Sequence, residues 1–256
     1  MSSLSALLKV LALSTSLFLV SCATDIDGIT FSDLIMPAEQ VYNNALAYMK
    51  KGDYKEAQKQ LKTLDLQHPY SLYAQKGSLM ATYIAYQKRN YEEAISQGRR
   101  FLSRYPAHKA SPYALYLIGM SHYARQTSDI RLDQSDSQKT YQVMNELVDT
   151  YPDSQYVEEA KRKMRISKEQ IAGQEMGVGR YYQERHEFLA AINRFRTILE
   201  MYQETQYVEE ALARLVETYY ALGLTNESQT AAGILGKQFP NSKWYNYSYA
   251  LLKKKD

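Results

Sequence analysis

The chain has 256 residues, 45% of them hydrophobic and 23% charged, with a formal net charge of +3. This is ordinary globular composition with length for one or two cores, and so small a charge does not point to a nucleic-acid partner. There are 24 tyrosines against one tryptophan and six phenylalanines, and the single cysteine, Cys22, excludes an internal disulfide and any cysteine-built metal cluster.

Leu11 to Val20 is a ten-residue apolar run. A bilayer-spanning helix needs about 20 residues, whereas the core of a secretory signal is of this shorter length. The only basic side chain before it is Lys9. The run closes on Leu19-Val20-Ser21-Cys22, which resembles the bacterial lipoprotein box. The resemblance implies that residues 1–21 are removed and that Cys22 becomes the first mature residue, carrying N-acyl and S-diacylglycerol lipid. Several acyl chains, at about 0.8 kcal/mol per buried methylene, hold a domain firmly where one chain does not. The next residue is Ala23, not the aspartate that retains enterobacterial lipoproteins in the inner membrane, so outer-membrane sorting follows by analogy. Residues 22–36 read as a lipidated tether.

From residue 37 onward the chain is punctuated by a recurring loop. It stands at His68-Pro69-Tyr70-Ser71, Tyr105-Pro106-Ala107-His108, Tyr151-Pro152-Asp153-Ser154, Tyr202-Gln203-Glu204-Thr205 and Phe239-Pro240-Asn241-Ser242. The hexapeptide Gln-Tyr-Val-Glu-Glu-Ala follows two of these loops, at 155–160 and at 206–211. All six prolines lie near expected helix boundaries, and none interrupts the long amphipathic stretches. Tyr54 to Tyr91, Ala57 to Ala94 and Pro69 to Pro106 are each 37 residues apart. With small Ala45 in its first helix and Gly52-Asp53-Tyr54 at the turn, the first unit (38–71) resembles the tetratricopeptide repeat, a helical hairpin of about 34 residues. The second unit repeats the pattern with Thr82, Asn90, Tyr91, Ala94 and Pro106.

The third unit opens at Pro112, and nine extra residues enter it, assigned to the polar stretch Gln126 to Ser137. The fourth carries 14 extra residues, assigned to a lengthened helical region from Val157 to Tyr182 with Gly173, Gly177 and Gly179 as candidate breakpoints. Gln203 replaces proline in the fourth of the five loops, which predicts a less rigid corner there. The fifth unit (about 209–242) has Ser228 where alanine is expected, and a last helix over about 243–253 would cap the array. The expected fold is therefore all-α, a tetratricopeptide-repeat superhelical solenoid of about five hairpins plus a C-terminal cap. Residues 37–152 form its N-terminal half and 153–256 its C-terminal half.

Nothing in the sequence forms a catalytic constellation. His68, His108, His122 and His186 are scattered without metal-ligand spacing, and no P-loop, G-x-S-x-G or G-x-G-x-x-G occurs. Glu158-Glu159 and Glu209-Glu210 read as first-turn acids that favour the helix dipole. The chemistry that remains is surface. In a tetratricopeptide array the first helix of each hairpin lines the groove. At offsets of about −3, +1 and +4 from Ala45, Thr82 and Gly119 stand Tyr42, Leu46, Met49, Leu79, Tyr83, Tyr86, Tyr116, Met120 and Tyr123. Tyrosine offers a large apolar face and a hydroxyl at low entropic cost, so Tyr42, Tyr83, Tyr86, Tyr116 and Tyr123 are candidate peptide-groove residues. In the fourth hairpin Asn193, Arg194 and Arg196 form a candidate interface, exposed arginines being common anchors.

The lipobox, the repeat order and the two insertions together resemble the BamD family of outer-membrane-protein assembly lipoproteins. Tyr151-Pro152-Asp153-Ser154-Gln155-Tyr156, the insertion with Asp129, Arg131, Asp133 and Asp136, Gly179-Arg180-Tyr181-Tyr182 and Ala191-Ile192-Asn193-Arg194 carry the match. The resemblance implies a non-enzymatic scaffold, lipid-anchored on the periplasmic face of the outer membrane, with no cofactor beyond the lipid on Cys22. Its implied partners are the POTRA domains of a BamA-type barrel insertase, accessory lipoproteins, unfolded outer-membrane-protein substrates and, through the anchor, the membrane itself. By position, the tyrosine groove would take substrate and Asn193, Arg194 and Arg196 would face the insertase. The competing readings are a tetratricopeptide lipoprotein that coordinates cell-wall synthesis and an enzyme whose site the sequence hides.

Overall fold

The computed structural model describes residues 35–253, so the expected signal segment, Cys22 and most of the tether lie outside the described residues. Those described form eleven α-helices and no strand. Five hairpins follow one another: α1 (Ala38–Lys50) with α2 (Tyr54–Gln67), α3 (Leu72–Gln87) with α4 (Tyr91–Arg104), α5 (Ser111–Arg125) with α6 (Ser135–Thr150), α7 (Val157–Glu184) with α8 (Phe188–Met201), and α9 (Val208–Ala221) with α10 (Thr225–Gln238). The expected cap is α11 (Lys243–Lys253), packed on α9 and α10.

Two kinds of corner set this order. Inside four hairpins the first helix ends on a left-handed residue, Gly52, Arg89, His186 or Gly223, with φ of 59–76°. The next amide then donates to the carbonyl five residues back: Asp53 to Tyr48, Asn90 to Ala85, Glu187 to Tyr182 and Leu224 to Tyr219, at 2.9–3.0 Å. This Schellman closure satisfies carbonyls that a helix end leaves unpaired. Arg89 and His186 hold the left-handed geometry without glycine, at a cost of about 1 kcal/mol each. Between hairpins the aromatic residue of the recurring loop stops the preceding helix in one repeated conformation. His68, Tyr105, Tyr151, Tyr202 and Phe239 all have φ near −133° and ψ of 40–62°. Each carbonyl accepts from the amide three residues on, at 3.0–3.1 Å. Proline at the second position suits such a turn. The Gln203 corner keeps this geometry, and there the Thr205 hydroxyl donates to the Tyr202 carbonyl at 2.8 Å.

The small residues are where the helices approach. Ala45, Ala57, Thr82 and Ala94 are fully buried. A Cβ added at Gly119 would overlap Met144, and one at Gly179 would overlap the ring of Phe195. Ser228, in place of the expected alanine, is fully buried and its hydroxyl donates to the Val216 carbonyl at 2.9 Å. Its polarity is thereby satisfied in the core.

The two insertions are coupled. The fourth unit's extra residues extend α7 to 28 residues without a break, so the glycines do not interrupt it. At 1.5 Å per residue the helix is about 42 Å long. Val157 and Ala160 of its first turns join one apolar core with Leu115, Ile118, Met144 and Leu147, while Met176 joins another with Phe195, Leu212 and Leu235. Gly173 instead admits a neighbour: a Cβ there would stand 2.8 Å from Ile130, in the other insertion. Residues 126–134 connect α5 to α6 and are tied to α7 by Gln126 donating to Ser167 (2.8 Å) and Gln174 donating to the Leu132 carbonyl (3.1 Å). Buried Gln134 closes the strap by donating to the Asp129 and Leu132 carbonyls. Gly173→Leu is expected to displace Ile130 and the Tyr207 ring, which lies equally close, while α7 stays helical. Limited proteolysis should then cut within 126–134 about tenfold faster, the far-UV helix signal being unchanged.

Candidate functional site

On the first helices of the second and third hairpins, tyrosines gather into one cluster. Tyr113 and Tyr116, one turn apart on α5, both stack on Tyr156 from the loop before α7, with ring centroids 5.3 and 4.8 Å away. Tyr83 and Tyr86 of α3 lie close enough for their phenols to act electrostatically on Tyr113, and Tyr86 also on Tyr116, while the Tyr86 ring itself packs on Tyr91 at 5.9 Å. All five rings are half-buried. Burial, then the neighbouring phenols, push the Tyr113 hydroxyl up to about 12. The Tyr113 hydroxyl is therefore neutral at neutral pH. The α7 end of the cluster is cationic: Lys163 lies 4.0 Å above the Tyr123 ring and 3.3 Å from Glu159, which Arg162 also pairs.

Of the expected groove residues, Tyr83, Tyr86 and Tyr116 come together. Tyr123 flanks them beneath Lys163, and Tyr42 sits apart against Tyr73 at 5.5 Å. Tyr113, Tyr156 and Lys163 were not among the candidates. Tyr156 belongs to the duplicated hexapeptide, whose repetition was the available signal. In the second copy, Tyr207 lies against Gly173. The acids of that hexapeptide occupy first turns as expected, and three of the four are ion-paired: Glu158 with Lys161, Glu159 with Arg162 and Lys163, and Glu210 with Arg180 and Arg214.

Tyr113 links this site to alkaline stability. A phenol kept neutral by the fold contributes fully below its ordinary pKa of 10, and the contribution is lost as pH rises through about 12. Urea midpoints are expected to hold up to about pH 10 and to fall between about 10 and 12, with a shallower fall in Tyr113→Phe.

The second candidate face is on α8. Asn193 is exposed. Residues 194 and 196 are about 200° apart around a helix, so the two arginines point differently. Arg194 turns to α7 and pairs with Glu175 at 3.0 Å. Arg196 pairs with Glu200 of its own helix at 3.1 Å and lines a groove between α8 and α10 whose apolar lining includes Leu199, Leu212, Leu215 and Ile234. The first two equivalent grooves of the array are crossed by ion pairs, Asp65 of α2 with Arg100 and Arg104 of α4, and Arg99 of α4 with Glu146 of α6. The α8–α10 groove keeps an apolar floor and a polar rim, a form suited to a protein partner.

The remaining polar cluster has no catalytic geometry. His122 is buried with Nδ1 2.8 Å from Asp136, and Arg125 donates to the same carboxylate at 3.0 Å. The adjacent Ser121 hydroxyl is buried and donates to the Leu117 carbonyl at 2.7 Å, so it is not poised as a nucleophile. Among the described residues, no group of three His, Cys, Asp or Glu side chains could hold a metal ion, and no helix is long and apolar enough to cross a membrane.

Both faces lie within a single family match. The family model described as "YfiO: Outer membrane lipoprotein" matches residues 35–234, from the start of the described residues into α10. The chain belongs to this outer membrane lipoprotein family. Relatives in the family carry the name outer membrane protein assembly factor BamD. One from Caulobacter vibrioides is 35% identical over 216 residues, covering 84% of this chain and 70% of its own length. One from Rickettsia prowazekii is 34% identical over 222 residues, covering 87% and 88%. Among solved structures, a tetratricopeptide repeat protein from Parabacteroides merdae aligns with 85% of this chain and 74% of its own, at 16% identity and a TM-score of 0.41.

Proposed function

We infer that the chain is a non-enzymatic assembly factor for outer-membrane proteins, acting as a lipid-anchored member of a BamD-type assembly complex. The observation that carries this reading is identity of more than 30% with named assembly factors over 84–87% of the chain. The lipid on Cys22 would hold it at the periplasmic face of the outer membrane. The cluster of Tyr83, Tyr86, Tyr113, Tyr116 and Tyr156 would take an extended segment of an unfolded barrel substrate, with Tyr42 and Tyr123 at its flanks. Rings fixed by mutual stacking, as Tyr113, Tyr116 and Tyr156 are, lose little entropy on binding, and tyrosine hydroxyls can satisfy a peptide backbone. The α8–α10 groove, with Asn193 and Arg196 on its side of the helix and Arg194 beyond, would receive the POTRA domains of a BamA-type insertase. Accessory lipoproteins would complete the complex. No bond is made or broken in this mechanism. Binding couples substrate capture to delivery.

A photo-crosslinking amino acid placed at Tyr86 and, separately, at Asn193 tests the assignment of faces. Tyr86 is expected to capture unfolded barrel protein and Asn193 the insertase. Exchange of the two products, or insertase capture at both sites, would overturn it.

A further inference from the structure

The five corners between hairpins share one backbone conformation, so their side chains can be compared position by position. The residue two beyond the helix-stopping aromatic or histidine is Tyr70, Ala107, Asp153, Glu204 and Asn241 in turn, and the residue four beyond is Leu72, Lys109, Gln155, Gln206 and Lys243. Only the first corner is apolar at both positions. Tyr70 is 98% exposed, Leu72 71%, and Leu66 at the end of α2 72%. A lysine stands four residues from each leucine, Lys62 from Leu66 and Lys76 from Leu72, on the same helix face. Neither the first corner (68–71) nor the second (105–110) carries an acid, while the third and fourth do. Two carboxylates of the adjoining helices are engaged, Asp65 by Arg100 and Arg104 and Glu39 by Tyr73.

The first corner also lies where the chain begins its first hairpin. Because α1 and α2 are antiparallel, the start of α1 is at the same edge of the array as the end of α2. The contacts of Tyr73 in the first turn of α3 with Glu39 and Tyr42 of α1 fix this side by side. Residues 23–37 between Cys22 and α1 can span at most about 50 Å. Exposed tyrosine and leucine interleaved with lysine is the composition of a membrane-interface contact.

We propose that the first corner, Leu66, Tyr70 and Leu72 with Lys62 and Lys76, rests on the anionic phospholipid surface in which the chain's own anchor is embedded. The contact would make a second attachment and fix which edge of the array faces the bilayer. The proposal rests on lipidation at Cys22, and the test separates the two. Full-length lipidated chain carrying Tyr70→Trp and Trp244→Phe is reconstituted into phosphatidylethanolamine–phosphatidylglycerol vesicles with brominated acyl chains. The Tyr70→Trp emission is expected to shift blue and to be quenched, whereas the native chain, read through Trp244, is not. Adding Leu72→Glu should cut the quenched fraction at least about threefold, an acid at the interface being repelled. A chain that floats with the vesicles but whose Tyr70→Trp signal stays unquenched overturns the corner contact and leaves the anchor standing. Equal quenching of Trp244 overturns it too, as does a blue shift that needs only higher protein concentration or added insertase. A chain that does not float removes the anchor, and the corner contact with it.

Discussion

Phe195→Ala is expected to lower the stability of the C-terminal core by about 3–5 kcal/mol, the largest single effect foreseen for this chain. Phe195 is fully buried and packs in one core with Met176, Ile198, Leu212 and Leu235. It also fills the space that Gly179 leaves open on α7. Truncation removes a large apolar side chain where the partner helix has no side chain to close the void. The reverse substitution makes the same point. Gly179→Ala would gain up to about 1 kcal/mol of helix propensity, yet its methyl would overlap the Phe195 ring, and overpacking costs about 1–3 kcal/mol. Net destabilisation is expected, with recovery in Gly179→Ala/Phe195→Leu, because residues in direct contact do not act additively. Urea denaturation followed through Trp244, which packs against this core, reads all three variants. A stabilised Gly179→Ala would contradict the close crossing of α7 and α8.

The second large effect belongs to the tyrosine cluster. Tyr86→Ala with Tyr116→Ala is expected to weaken binding of an extended barrel-derived peptide by about a hundredfold or more, each ring counting as an interface anchor worth above about 1.4 kcal/mol. Tyr86→Phe with Tyr116→Phe keeps both rings, Tyr116 stacked on Tyr156 and Tyr86 against Tyr91, and loses only hydroxyls, so about tenfold at most is expected. Tyr42→Ala should have a smaller effect than either ring of the cluster, since Tyr42 packs with Tyr73 apart from the others. Anisotropy of a labelled peptide measures the series. Unchanged affinity in the double alanine variant, with helix content intact, would remove the groove assignment.

How far this was readable in advance differs between fold and faces. The corners between hairpins were visible because they need particular residues, chiefly proline after an aromatic or histidine, and Gly52 marked one turn inside a hairpin; Arg89 and His186 in the left-handed conformation left no such mark. The repeat pattern, anchored by three matched 37-residue offsets, puts Ala45, Ala57, Thr82 and Ala94 where helices cross, and all four are buried. The glycines of α7 were misread as breakpoints. Local propensity marks glycine as a weak helix former, but here close approach decides, Gly179 to Phe195 and Gly173 to Ile130. The partner of Gly173 is more than 40 residues earlier, in an insertion whose path no periodicity reveals. The same limit applies to the cluster. Tyr116 and Tyr86 follow from helix offsets, whereas Tyr156 comes from a corner and joins them only through tertiary packing. On α8, adjacency in sequence suggested one patch for Arg194 and Arg196, and helix geometry sends them to different neighbours.

Affinity purification of the lipidated chain from detergent-solubilised outer membrane, with partners identified by mass, tests the central claim most directly. The account predicts recovery of a POTRA-bearing barrel insertase, lost or weakened by Arg196→Glu. Recovery of cell-wall synthesis enzymes in place of the insertase would contradict it, leaving the hairpin array intact and its partner reassigned.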